Sequence, residues 1–145
     1  MLRFAAIVAA LAVGATAVYA QSAAIEQRQK LMKSMGGAMK ETGGMMKGTI
    51  PFDLPKVQAA LKVLAESSPK AKDLFPDDSK EGGDTKALPI IWEQKVDFNG
   101  RFDKLAADAT ATTTTVTDEA SFKTAWPKIG GNCGGCHKVY EKPDK

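Results

Sequence analysis

The chain has 145 residues, a formal net charge of +3, two cysteines and one histidine. A balance this close to neutral, with no basic tract, argues against a nucleic-acid partner. A single histidine and no visible pairing of base with nucleophile argue against an enzyme in its own right.

Residues 1–20 read as a secretory signal. Arg3 supplies the positive n-region, Phe4 to Val13 the apolar core, and Val18-Tyr19-Ala20 a small-x-small cleavage site before Gln21. The apolar run is short and alanine-rich for a membrane anchor, so no stable membrane insertion is expected; an uncleaved anchor is the alternative. Cleavage after Ala20 leaves residues 21–145, enough for one domain with one core, exported to the periplasm.

No internal repeat and no sustained strand-like alternation is present, so the expected elements are helices. The first runs from about Ser22 to Lys47, with Ile25, Met32, Met35, Met39 and Met46 on one face. Gly36-Gly37 and Gly43-Gly44 interrupt it, each glycine costing roughly 1 kcal/mol against alanine, and a helix that keeps them is expected to pack closely against something. A methionine stripe is more often core filler than a ligand set. Gly48 to Asp53 form the first loop. Asp53 suits an N-cap and Pro55 a helix start; Val57, Leu61, Leu64 and Leu74 mark a second helix, with a break expected near Ser68-Pro69. Phe75 to Leu88 is a long loop rich in Asp, Lys and Gly, the kind of segment that is commonly functional or packed over a site.

A third helix begins at Pro89. Ile91, Val96, Phe98, Phe102 and Leu105 form its apolar stripe, with Trp92 as a core residue or a cofactor wall. Ala109 to Val116 reads as a loop or frayed end. Thr117 or Asp118 caps a fourth helix carrying Phe122 and Trp126, with a kink or break expected at Pro127.

The chemistry-bearing stretch is Cys133-Gly134-Gly135-Cys136-His137, followed by Tyr140. It holds both cysteines and the only histidine. On a helix, positions i, i+3 and i+4 bring both sulfurs and the imidazole to one face. Attachment of haem c needs that arrangement: two thiols add to the vinyl groups and the adjacent imidazole reaches the iron. A disulfide, a thioredoxin-like dithiol and half of a zinc site are the alternatives. Zinc would need a carboxylate as its fourth ligand, and a thioredoxin-type motif should open a helix after a strand. Gly130, Gly131, Gly134 and Gly135 weaken a helix but let a flat macrocycle approach the backbone. The whole pattern predicts an all-α fold, an antiparallel four-helix bundle with covalently bound haem near its C-terminal helix.

The second iron ligand stays open at this point. There is no other histidine, and no methionine follows the motif. A thioether must come from upstream, where the first helix offers Met32, Met35, Met39, Met45 and Met46. Periodicity does not choose among the first three.

The sequence resembles a class II cytochrome c, the group of cytochrome c′ and the low-spin cytochrome c-556. The resemblance rests on Arg28-Gln29 with Leu31-Met32, on Leu74-Phe75-Pro76 leading into Gly82-Gly83-Asp84, on Leu88-Pro89 and Ile91-Trp92, and on Cys133 to His137 with Tyr140. It implies one haem c per chain, attached through Cys133 and Cys136 with His137 on the iron. In high-spin members the residue four after the first-helix arginine is a hydrophobe over an open iron face; in the c-556 type it is an iron-bound methionine. Here that residue is Met32, so the resemblance implies Met32 as sixth ligand and one-electron transfer to redox partner proteins. The alternative it allows is a five-coordinate protein binding nitric oxide or carbon monoxide. Arg28 corresponds to a residue near the haem propionates, a solvated surface arginine being the bland alternative. Many high-spin members carry a basic residue after the aromatic that follows the motif; here Glu141 follows Tyr140. Homodimers through the first two helices occur in the family, and the sequence does not decide that point.

Overall fold

A computed structural model describes residues 2–143, with side chains from residue 23 onward. The expected signal and its cleavage site therefore lie outside the residues whose side chains are described. Five helices follow in order: α1 (Leu2–Met46), α2 (Leu54–Lys72), the single turn α3 (Ile90–Glu93), α4 (Lys95–Thr115) and α5 (Glu119–Tyr140). The four long ones form an antiparallel four-helix bundle, in which α2 packs on α1 and α4, and α4 on α5. Its core is built from fully buried side chains of facing helices, among them Val57, Leu61 and Leu64 of α2 and Phe122 and Ile129 of α5. Truncating any one of these leucines to alanine would cost about 2–5 kcal/mol in lost transfer energy and cavity.

Two helix starts follow from local chemistry. The Asp53 carboxylate accepts from the Lys56 N–H at 3.1 Å, with Pro55 in the first turn of α2. Asp118 and Ser121 form a capping box on α5, the Ser121 N–H donating to Asp118 Oδ1 at 2.8 Å and the Asp118 N–H to Ser121 Oγ at 3.1 Å.

Several expectations are corrected. α2 does not break at Ser68-Pro69 but runs on to Lys72, because Ser67, Ser68 and Ala71 are buried and the helix ends within a turn of the proline, where few carbonyls lose a donor. Leu74 lies beyond that end. α5 likewise continues through Pro127, held by Phe122, Trp126 and Ile129, which are buried on either side of it. The Thr/Ala tract is neither loop nor frayed end. It is the last two turns of α4, since Ala109, Thr112 and Val116 are buried against the bundle. Tertiary burial outweighs the weak helix propensity of threonine there, and the hydroxyls of Thr110, Thr112 and Thr113 donate to the carbonyls four residues back. The third helix is divided at Gln94 (φ −113°, ψ 40°), and Val96 faces solvent, 89% exposed, so it leaves the expected stripe.

The glycine pairs of α1 also differ from expectation. A Cβ at Gly36, Gly37 or Gly43 would meet nothing within 4 Å. Only Gly44 is closely approached, with Ile50 Cδ1 at 2.5 Å from where its Cβ would stand.

The Phe75–Leu88 segment is ordered by its ends. A 3-10 turn at Asp77–Ser79 opens it, and near its close Ala87 forms an isolated antiparallel bridge with Glu141. The Leu88 N–H donates to the Tyr140 carbonyl at 3.0 Å and the Lys142 N–H to the Lys86 carbonyl at 2.8 Å. This loop is thereby tied to the residues just past the CxxCH motif.

Candidate haem site

A cleft of about 380 Å³ opens between α1 and α5, with Phe98 and Phe102 of α4 and Ile91 of α3 among its lining residues and the loop residues Asp84 to Ala87 along it. Met32 lines it from α1; Cys136, His137 and Tyr140 line it from α5, and Glu141 follows them. An apolar cleft with a few convergent polar groups is the usual form of a cofactor site.

The methionines separate by position. Met35 is 6% exposed in the core, its sulfur 3.8 Å from the Ser68 hydroxyl. Met39 sits beside Gly130, and Met45 is fully buried. Met32 is the methionine among the residues lining the cleft. Periodicity could not choose among Met32, Met35 and Met39 because all three fall on one face of the same helix.

Cys133 and Cys136 are free thiols, each half-buried. Burial raises the pKa of both thiols, that of Cys136 to about 11. Among the described residues no group of three or more His, Cys, Asp or Glu side chains is arranged to hold a metal ion by itself. Of the four glycines around the cysteines none is among the residues lining the cleft; an added Cβ would meet nothing within 4 Å at Gly131 and Gly134, Met39 at 3.9 Å at Gly130 and Arg101 at 4.0 Å at Gly135. His137 Nδ1 lies 3.2 Å from Glu141 Oε2. With Nδ1 turned to that carboxylate, Nε2 is the ring nitrogen left to meet a metal. Cys136 and His137 line the cleft opposite the Met32 thioether of α1, while Cys133, three residues before Cys136 on α5, is not among its lining residues; two thiols and an imidazole at this spacing fit haem c by their donor chemistry.

Arg28 is not a solvated surface residue: it is 3% exposed. Its Nη1 donates to the Leu74 carbonyl at 3.1 Å and Ser79 Oγ at 2.8 Å, and its Nη2 to the Ser79 carbonyl at 3.0 Å and Thr85 Oγ1 at 2.8 Å. The guanidinium also stacks on Phe75, 4.6 Å from the ring centroid. Four N–H groups are thus committed to the loop, and burial lowers the pKa. Arg28 lines the cleft, but its visible work is clamping the loop along it.

Residues that sequence reasoning missed hold the motif from behind. Arg101 Nε donates to Asp97 Oδ2 at 2.7 Å and its Nη1 to the Gly135 carbonyl, inside the motif, at 2.9 Å. The Tyr140 hydroxyl donates to the same Asp97 oxygen at 2.6 Å. Those bonds, from Tyr140 first and Arg101 second, lower the Asp97 pKa. Asn132, just before Cys133, donates to Asp108 at 2.8 Å. The i,i+4 spacing of Asp97 and Arg101 was a legible signal; the Gly135 and Asn132 contacts had none.

An open cleft between the helices of a bundle, with this donor set, defines the class as a haem c bundle. Comparison makes the family specific: the model for cytochrome c′ matches residues 23–141. A cytochrome c′ of Rhodopseudomonas palustris is 46% identical over 94% of this chain and 93% of its own. A cytochrome c-556 of Agrobacterium fabrum is 38% identical over 87% of this chain and 85% of its own. Among solved structures, cytochrome c′ from Rhodopseudomonas palustris superposes with a TM-score of 0.82 at 46% identity, covering 84% of this chain and 98% of that one. Oxidized cytochrome c556 of R. palustris gives 0.78 at 29% identity, covering 84% and 98%. The chain belongs to the cytochrome c′ family of class II cytochromes c, haem carriers with covalently bound haem c and its iron.

Proposed function

We propose that this chain is an exported one-electron carrier, with haem c joined to Cys133 and Cys136 and its iron held by His137 and Met32. The observation that carries the reading is that Met32 of α1 and His137 of α5 line one cleft while Met35 and Met45 are buried in the core. When bound, the haem supplies a ferric/ferrous couple, and a thioether ligand raises its potential relative to harder ligands. The chain's own part is to present the donors, exclude water with Phe98, Phe102 and Ile91, and hold α5 through Arg101 and Asn132. Ligands kept in both oxidation states mean little reorganisation on electron transfer, which suits a carrier meeting redox partner proteins better than an enzyme. Arg28 supports the site through the loop, with propionate contact secondary.

The same reading has the mature protein beginning at Gln21 in the periplasm. No helix among the described residues is long and apolar enough to cross a membrane. Intact mass of periplasmic protein should equal residues 21–145 plus one haem; recovery with Met1 to Ala20 retained in the membrane fraction would overturn the localisation.

The 46% identity to a cytochrome c′ favours a second reading, a five-coordinate haem that binds nitric oxide or carbon monoxide, with Met32 as packing. Absorption spectra of oxidised and reduced protein, with and without carbon monoxide, divide the two. A low-spin ferrous spectrum unaltered by carbon monoxide supports the carrier. A high-spin spectrum that carbon monoxide shifts readily overturns Met32 ligation.

A further inference from the structure

Glu141 is the first residue past α5, with extended backbone (φ −117°, ψ 139°). That conformation is imposed from outside the helix: Ala87 bridges to it, and on either side of it the Leu88 N–H donates to the Tyr140 carbonyl and the Lys142 N–H to the Lys86 carbonyl. The pairing strand is the end of the loop that Arg28 clamps through Ser79 and Thr85. The carboxylate so placed lies 3.2 Å from His137 Nδ1, although Glu141 and His137 side chains are 38% and 54% exposed. An ion pair that open contributes little to folding. A carboxylate on the far nitrogen of a metal-binding imidazole does something else: it selects the tautomer, fixes the ring plane and strengthens the ring as a donor.

We infer that, with His137 as the iron ligand proposed above, Glu141 is a positioning residue that sets the redox poise of the site. A stronger imidazole donor favours ferric over ferrous iron, so the contact lowers the potential against the rise due to a thioether. Arg28 sits one turn before Met32 on α1 and clamps the loop that pairs with Glu141. The two sides of the cleft are thus joined by the Ser79–Ala87 segment.

The test compares the wild-type holoprotein with Glu141→Gln, which keeps a weaker acceptor, and Glu141→Ala, which keeps none. Midpoint potential should rise in the order wild type, Gln, Ala. A tenfold loss of preference for ferric iron would read as about +59 mV. The rise should persist in about 1 M salt, where a surface charge effect is screened within about 3 Å. The ring ¹⁵N shifts of His137 in the ferrous protein should report a hydrogen-bonded Nδ1–H in the wild type that is lost in Glu141→Ala. Unchanged potentials and ¹⁵N shifts, or a rise that vanishes at high salt, would overturn the role of Glu141. Failure of the underlying reading looks different: His137→Ala would then keep the wild-type haem spectrum.

Discussion

Arg28 and Ser79, 51 residues apart in sequence, are joined twice: Nη1 donates to the serine hydroxyl at 2.8 Å and Nη2 to its carbonyl at 3.0 Å. With Leu74 and Thr85 as further acceptors, one guanidinium on α1 holds both ends of the turn beside the cleft. Arg28→Met should therefore destabilise the protein by about 3 kcal/mol, since it leaves fully buried Ser79 without its donors. Arg28→Lys should recover little, because an ammonium cannot reproduce the planar fork. Thermal unfolding of both variants is the measurement; a lysine variant as stable as the wild type would contradict the clamp.

Met32→Leu keeps the side-chain volume, so its stability cost should stay under about 1.5 kcal/mol. Its spectral effect should be large: the ferrous haem becomes high-spin, its potential falls, and carbon monoxide binds. Met35→Leu and Met39→Leu should remain low-spin, Met35 losing only core packing beside Ser68. A wild-type spectrum in Met32→Leu would move the ligand to a neighbouring methionine.

Haem should stay with the chain through denaturation and organic extraction. Exchange of both Cys133 and Cys136 for serine should release it, since no thioether can form. Retained haem in the double variant would refute attachment at these positions.

The glycines of α1 should answer differently to alanine. Gly36→Ala and Gly37→Ala meet open space and should stabilise the helix by roughly 0.5–1 kcal/mol each. At Gly44 the new methyl runs into Ile50 Cδ1 and Cγ1, 2.5 and 2.9 Å away, so the gain should be lost or reversed. Chemical denaturation of the three variants checks the contrast.

Asp108 accepts from Lys104, Asn132 and Lys128, in that order of effect, and is held far below the ordinary carboxylate value of 3.8. A depressed folded-state pKa contributes stability above the unfolded value and loses it as pH falls through the folded one. Asp108→Asn should thus cost about 1 kcal/mol at neutral pH, modest because both lysines are more than half exposed. The difference from wild type should shrink as pH drops below about 4. A gap unchanged down to about pH 2 would mean that the charge of Asp108 does not matter.

Much of the bundle was legible in the sequence because its signals are local. Asp53 with Pro55, and Asp118, start helices through bonds spanning three residues. The CxxCH spacing puts two sulfurs and an imidazole on one face of any helix, whatever surrounds it. Where local rules were followed too literally they failed: Pro69, Pro127 and the threonines of α4 all lie in unbroken helix, since burial of Ser68, Trp126 and Thr112 on the bundle side outweighs their propensities.

What only the tertiary structure decided concerns partners distant in sequence. Met32, Met35 and Met39 are alike in one dimension, and the packing of α1 against the bundle alone sends Met35 to the core and Met32 to the cleft. Arg28 shows no sign in sequence of its acceptors at Ser79 and Thr85, nor does Arg101 of its bond to Gly135. Hydrogen bonds have directions and reach only about 3 Å, and which groups come that close across 30 to 60 residues is set by how the helices pack, not by spacing along the chain.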